Sequence, residues 1–458
     1  MHNENLWAQS LTKLKEILSS GDVTALGVVD SFLTRIKCVG NKVGAWAALD
    51  LEGVREEAAA LDRKKSEGGG VGAMFGIPLG LKDIINTKGL PTRMGSPIWK
   101  DHHAGNDARV VAHLLWEDAL VLGKTVTAEF AVHSPNGTKN PHCLTCTPGT
   151  SSSGSAAAVA SGMAPAALGT QTAGSLIRPA SFCGVYGYKP TFGWIPRTGI
   201  LKTTDTLDQV GFHARDAHDL RLLFETTRVK GRNYYLKEKR LAENPAKKKW
   251  RVGVVASHVS EYAPDYAHIA LDAFGKSIES SCIEVVKLSL PEKFSKSHSI
   301  HERIYDSDLA YYFRKEYKKH PELISDSLIE IIEHGLALSP EDYRVALAEQ
   351  VDLQGQLDAL FTERKLDVLL TLSSNGEAPQ GEEPIPWMDS CLIWTMCGVP
   401  SASVPVFKGP NGMPYGAQFV SRKYGDHVLL GLIEHLREEN VIEASQIAGL
   451  KENLGSMR

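Results

Sequence analysis

Residues Thr147 to Pro190 read TPGTSSSGSAAAVASGMAPAALGTQTAGSLIRPASFCGVYGYKP. Small side chains dominate from Pro148 to Ser175, and a backbone without bulky side chains packs closely and turns its N–H groups toward a ligand without obstruction. Two hydroxyl-rich knots, Thr150 to Ser155 and Thr170 to Ser175, flank an Ala/Gly/Val segment suited to a tightly packed helix or a buried crossover. The pattern implies a serine nucleophile with a second serine beside it.

Upstream, apolar residues recur at helical spacing from Leu6 to about Val39, broken by Ser20-Gly21-Asp22, which predicts two amphipathic helices. A charged, Ala-rich helix follows over Asp50 to Ser66 and ends at Gly68-Gly69-Gly70. Gly76 to Leu81 is a short apolar strand that delivers Lys82 and Asp83 before Ile84-Ile85. A lysine in such a setting is costly unless paired or neutral, so Lys82 is read either as a strand-end lysine reaching solvent or as a functional group. Arg109 to Trp116 predicts a helix and Ala119 to Leu122 a buried strand ending at Gly123-Lys124; the aperiodic run after Ser134 predicts a loop into the serine-rich stretch.

Downstream come a turn-rich GWIPRTG, a helix over Ala217 to Thr227, and a basic run from Lys230 to Lys249, interrupted by Glu238 and Glu243 and read as a solvated helix and linker. Strands are expected at Arg251 to Ala256, Ile283 to Leu288, Asp367 to Leu372, Ser401 to Val406 and Gly416 to Val420. Helices are expected at Tyr266 to Ser281, across Ser299 to Leu360, at Asp389 to Cys397 and at Asp426 to Arg437. Alternating strands and helices predict an α/β fold with a largely buried sheet between helical layers.

The 458 residues are 43% hydrophobic with a net charge of -4, which gives no basic footprint for nucleic acid. Seven thinly spread cysteines form no disulfide framework and fit a reducing compartment. No apolar run reaches the roughly 18 residues of a membrane span, and the N-terminus lacks a secretory pattern, so a soluble, cytoplasmic protein is expected, with no membrane partner. No Gly-x-Ser-x-Gly elbow surrounds Ser175 and no GxxxxGK[ST] run occurs. His142, Cys143 and Cys146 supply half of a zinc set with no second Cys-x-x-Cys, so no metal is expected.

Thr147 to Pro190, with GIPLGLKD before it and GVPSASVP after it, resembles the amidase signature family, serine hydrolases that cleave carboxamides with a Ser–Ser–Lys triad. The likeness runs from Val71 to Gly211, returns from Asp367 to Leu430, and is weak from Val229 to Leu360. It implies a single domain over 1–458 in the amidase signature fold: N-terminal helices (1–70), a catalytic core (71–211), a helical covering section (229–360) and closing strands and helix (361–458). Residue by residue, it implies Ser175 as nucleophile, Ser151 as a bridging serine after a cis peptide bond, and Lys82 as the base. It further implies an oxyanion hole of backbone N–H groups from Thr172, Ala173, Gly174 and Ser175, with Ser152 supporting the network and no cofactor.

Ser153 and Ser155 are read as turn and helix-start residues, and Asp83 and Asp208 as loop braces. Where the family's commoner pattern is GTDTGGSIR, this chain has Gln171 for the aspartate and Arg178 three residues after Ser175, so no Asp–Arg pairing follows from the motif. Arg178 is read as bracing its loop or as meeting a substrate carboxylate. By position, Phe75, Met94, the Asn136 region, Trp387 and Met388 are expected to line the substrate pocket. The partner implied is a small-molecule amide, with carbamates and esters chemically allowed and a homodimer left open. Two further readings stand beside it: the glutaminase component of a tRNA-dependent amidotransferase, and a catalytically silent binding or scaffold protein.

Overall fold

The computed structural model describes residues 3–230, 249–381 and 388–450. Among them, eleven strands form one mixed sheet: β1 (Trp46–Leu49), β2 (Pro78–Lys82), β3 (Leu120–Thr125), β4 (Ala166–Gln171), β5 (Tyr186–Lys189), β6 (Gln209–Ala214), β7 (Trp250–Ala256), β8 (Ile283–Ser289), β9 (Val368–Leu372), β10 (Ser401–Lys408) and β11 (Pro414–Ser421). Their spatial order is β1-β3-β2-β4-β6-β5-β10-β11-β9-β7-β8. The run β3-β2-β4 is parallel, as is β9-β7-β8, and the strands between are antiparallel.

The opening helices start and stop where local chemistry places them. α1 (Leu11–Ser20) is capped by the Ser10 hydroxyl accepting from Lys13 N–H, and it ends at Gly21 with φ 82°. α2 (Ala25–Val43) is capped by Thr24 and ends at Gly44 with φ 63°. α3 (Leu51–Ser66) and α4 (Arg109–Trp116) follow as expected. α5 (Ser153–Ala160) is buried at every residue and packs on β2, β3 and β4. α6 (Ile177–Phe182) and α7 (Ala217–Thr227) complete the first half.

In the second half, α8 (Asp265–Ser277) lies along the edge containing β7 and β8. α9 (Ser297–Tyr312), α10 (Arg314–Lys319), α11 (Asp326–Ala337) and α12 (Pro340–Glu363) make a helical layer, with α12 started by a reciprocal Ser339/Asp342 capping box. This layer closes a second apolar core with α13 (Cys391–Met396), whose Trp394 is fully buried, and α14 (Asp426–Glu438) finishes the described chain. No helix among the described residues is long and apolar enough to cross a membrane.

Three local expectations change. The strand expected to stop at Gly123-Lys124 runs on through Thr125, because the Lys124 amine is held by Asp83 at 3.3 Å and the Thr92 hydroxyl at 2.8 Å. β1 has only four half-buried residues, too few to show a period. β6, QVGFHA, hides its strand character behind a glycine and a histidine: a Cβ on Gly211 would lie 2.0 Å from the Tyr188 carbonyl oxygen, and His213 is buried with Nε2 3.0 Å from the Leu176 carbonyl. The basic run falls mostly on 231–248, outside the described residues.

Small residues in α5 are a steric requirement. A Cβ on Gly154 would meet Val126 N at 2.4 Å and Ala45 O at 2.5 Å, both backbone atoms that cannot swing aside. Gly154→Ala is therefore expected to destabilise the protein by about 1–3 kcal/mol, read as a lower denaturant midpoint; an unchanged midpoint would contradict this packing.

Candidate active site

β2 ends at Lys82, and its parallel neighbour β4 pairs Leu168 with Leu81, so both strands point their C-terminal ends toward one edge of the sheet. That edge is where open α/β sheets place ligands. Lys82 has no solvent exposure. Its Nζ lies 2.7 Å from Ser151 Oγ and 2.8 Å from Thr170 Oγ1. Burial pushes its pKa well below the ordinary lysine value, against a smaller opposing pull from the Asp208 carboxylate.

Two other lysines are fully buried, and their partners differ in kind. Lys124 has Asp83, a countercharge. Lys189 donates to the Gln209 side-chain carbonyl at 2.9 Å and to the Val399 carbonyl, both acceptors only. The two hydroxyls around Lys82 can donate as well as accept, an environment that also suits an uncharged amine.

Ser151 follows a cis Thr150–Ser151 peptide bond, and its carbonyl accepts from Ala128 N–H at 3.2 Å. Ser152 does not reach Lys82: its hydroxyl donates to Thr170 O at 3.0 Å and accepts from Thr170 N–H at 3.2 Å, so it supports Lys82 through Thr170. Ser153 opens α5. Ser155 ties that helix to the sheet, donating to Leu168 O at 2.8 Å with Thr125 Oγ1 2.7 Å away.

The turn Thr172–Ser175 joins β4 to α6. Its carbonyls are tied down: Thr172 O by His301 Nε2 at 3.0 Å, Ala173 O by the Thr395 hydroxyl at 2.7 Å, and Gly174 O by Arg178 N–H at 2.9 Å. Among the described residues, none of the four backbone N–H groups from Thr172 to Ser175 has an acceptor. Ser175 itself is half-buried. Gln171, where the commoner motif has aspartate, accepts Leu176 N–H at 2.8 Å and Ile177 N–H at 3.0 Å through Oε1, and donates to Thr395 Oγ1 at 2.9 Å. It caps the start of α6 with a neutral acceptor. Arg178 is buried and pairs with Asp389 at 2.7 Å, joining this turn to the segment before α13. Asp208 accepts from the Thr172 and Thr204 hydroxyls at 2.8 and 2.9 Å, and Asp83 accepts from Arg93 N–H at 3.2 Å, each bracing a loop.

Cavities lie against this turn. A largely apolar one of about 310 Å³ has Ala173, Arg178, Met388, His133, His301 and Tyr305 in its wall. A smaller one of about 160 Å³ touches Thr170, Thr172 and Asp208. Burial lowers His133 and His301 to about 4, so both rings are neutral near pH 7. Of the residues expected around the substrate, Arg178 and Met388 are in the larger cavity wall, and Trp387 lies outside the described residues. Phe75 instead packs in the core under the Lys65 amine, Met94 packs where the two apolar cores meet, and Asn136 Nδ2 braces loops by donating to Thr127 O and Gly95 O. Thr170, His133, His301 and Tyr305 went unread as site residues. Thr170 was legible from the pairing of its strand with β2; the other three arrive from distant segments that no local pattern connects.

The family model described as Amidase matches residues 27–430. The chain belongs to the amidase family. The match starts ahead of Val71 and crosses the 229–360 section, where the residues alone show little likeness. The A-chain component of the glutamyl-tRNA(Gln) amidotransferase of Roseiflexus castenholzii is 41% identical over 220 residues, 47% of this chain and 45% of that protein. The chain thus spans about half the length of the curated relatives it matches. Among solved structures of the family, an amidase is 29% identical with a TM-score of 0.83, covering 95% of this chain and 100% of that one. The native peptide amidase from Stenotrophomonas maltophilia is 25% identical with a TM-score of 0.83, covering 96% of this chain and 98% of its own.

Removing the Asp389 carboxylate would leave the Arg178 charge buried without its ion-pair partner. Asp389→Ala is expected to cost about 3–5 kcal/mol of stability by urea unfolding; a loss below about 1 kcal/mol would show that the pair does not hold the turn.

Proposed function

We propose that this chain hydrolyses linear carboxamides through an acyl-enzyme, with Ser175 as nucleophile, Ser151 as proton relay and Lys82 as base. The observation that carries the reading is the fully buried Lys82 amine 2.7 Å from Ser151 Oγ, beside a turn whose N–H groups have no internal acceptor. A serine hydroxyl is a weak nucleophile until a base takes its proton, and a lysine serves as that base only when neutral. In the proposed sequence the Ser151 proton passes to Lys82 Nζ as the Ser175 proton passes to Ser151. Ser175 Oγ bonds to the carbonyl carbon, and the oxyanion meets the N–H groups of Thr172 to Ser175. The relay then runs in reverse, the C–N bond breaks, and the departing amine takes the proton. Water repeats the attack on the ester and releases the acid.

Esters and carbamates satisfy the same relay. The larger cavity, bounded by rings and Met388, favours a substrate with an apolar body. A second reading rests on the relatives named as components of a glutamyl-tRNA(Gln) amidotransferase: a glutaminase that works only together with partner proteins. Turnover of non-glutamine amides by the purified chain alone supports the first reading, whereas glutamine hydrolysis that requires added partners supports the second.

Ser175→Ala, Ser151→Ala and Lys82→Ala should each lower kcat by about 10³-fold or more on any substrate turned over by the parent in a panel of amides and esters. Near-parental rates in Lys82→Ala would remove the proposed base, and no labelling of the parent by a fluorophosphonate would favour the silent scaffold.

The pH dependence has a fixed sign. Because the folded pKa of Lys82 is depressed, the active neutral form is present above that pKa, and the rate falls as pH drops through it. The same shift makes unfolding take up a proton between the folded and unfolded pKa values, so the contribution of Lys82 to stability declines toward acid. A rate profile flat well into acid would contradict a lysine base.

A further inference from the structure

Cys143 and Cys146 lie in the loop that runs toward Ser151, and nothing in the proposed hydrolysis uses them. Their sulfurs are 2.6 Å apart, against about 2.0 Å for a bonded pair. Cys146 N–H donates to Cys143 O at 2.9 Å, which closes a four-residue turn. Such a turn holds its end Cα atoms within about 7 Å, overlapping the span that disulfides bridge. The bond therefore needs little backbone movement. A metal half-site is the rival reading, but among the described residues no third His, Cys, Asp or Glu ligand atom gathers with this pair, and His142 Nε2 is 3.0 Å from the Cys183 carbonyl.

The two thiols differ as a reactive pair should. Cys143 is half-buried and Cys146 is buried against Phe182, Ala378 and Met413. Burial alone would raise the Cys143 thiol, but hydrogen bonds from Cys146 and Thr145 outweigh it and bring the thiol below its ordinary value. Burial, then the Cys143 sulfur, pushes Cys146 up to about 12. The accessible sulfur is thus the better attacking group and the inner one is protected by a proton.

We propose that Cys143 and Cys146 are a reversible redox pair, a modification site at which a small disulfide of the glutathione class is reduced while the two thiols close into an intrachain disulfide. Cys143 thiolate attacks one sulfur of the small disulfide, forming a mixed disulfide and expelling one thiolate. Cys146, giving up its proton, attacks the Cys143 sulfur and expels the second. Two cysteine thiols are oxidised and one disulfide is reduced to two thiols, with no other reactant. The turn is tied on both sides, since Cys146 bridges Gln380, Gly381 N–H donates to Thr145 O at 2.9 Å, and Thr147 N–H donates to Pro379 O at 3.1 Å. Closing the disulfide therefore fixes the loop between Ser151 and the segment leading to Met388.

The test is equilibration of the folded full chain with oxidised glutathione, followed by alkylation and peptide mass mapping. The expected result is an unalkylated peptide carrying a Cys143–Cys146 disulfide, two fewer of the seven thiols, and recovery of both by dithiothreitol. In Cys146→Ser, Cys143 should instead hold a stable glutathione adduct. In Cys143→Ser, the Cys146 thiol should stay alkylatable under denaturing conditions. Full alkylation of both cysteines in the parent, or a parent glutathione adduct that never closes, would overturn the proposal; neither readout depends on amide hydrolysis.

Discussion

Taking an ammonium ion out of water without a countercharge costs several kcal/mol, and Lys82 is placed where that cost would fall in full. It has no solvent exposure, and among the described residues no carboxylate lies within ion-pair range of it. The cost is removed by shedding the proton, and the hydroxyls of Ser151 and Thr170 accommodate the neutral amine. Much of the central structure serves to keep this arrangement. β3 and β4 flank β2 in parallel, α5 with its small residues seals the face above it, and Ser152 and Ser155 hold α5 and β4 in register.

The turn after β4 is the complementary half of the site. Fixing three successive carbonyls from outside, through His301, Thr395 and Arg178, leaves the N–H groups to face the other way. Groups held before any substrate arrives need no reorganisation when charge develops. Gln171 and the Arg178–Asp389 pair supply this rigidity with chemistry unlike the commoner motif, the neutral amide capping α6 and the arginine reaching across to Asp389.

Sequence reading went furthest where constraints are local. Glycine stops and hydroxyl caps marked α1 and α2, and the apolar run into Lys82 marked a costly lysine whose burial the structure displays. Lys82, Ser151 and Ser175 were named through the likeness to a motif, and the structure joins the first two directly by a hydrogen bond. The sequence could not reveal β6, whose glycine answers a neighbouring carbonyl and whose histidine is satisfied across the fold. Nor could it bring His133, His301 and Tyr305 into one cavity wall, since that depends on how the 297–312 helix lies over the turn. Phe75, Met94 and Asn136 were chosen by nearness along the chain to the motifs, and proximity in sequence placed them in packing and bracing roles instead.

The ionisation state of Lys82 is the point on which the account stands. Lysine side-chain NMR of the folded protein, with isotope-labelled lysine and the Lys82 resonance assigned by its loss in Lys82→Met, reads that state directly across a pH titration. The account predicts a midpoint well below the ordinary lysine value of about 10.4, with the amine neutral in the range where the enzyme turns over. A midpoint at or above that value would show a permanently charged lysine, and the proposed base would be wrong.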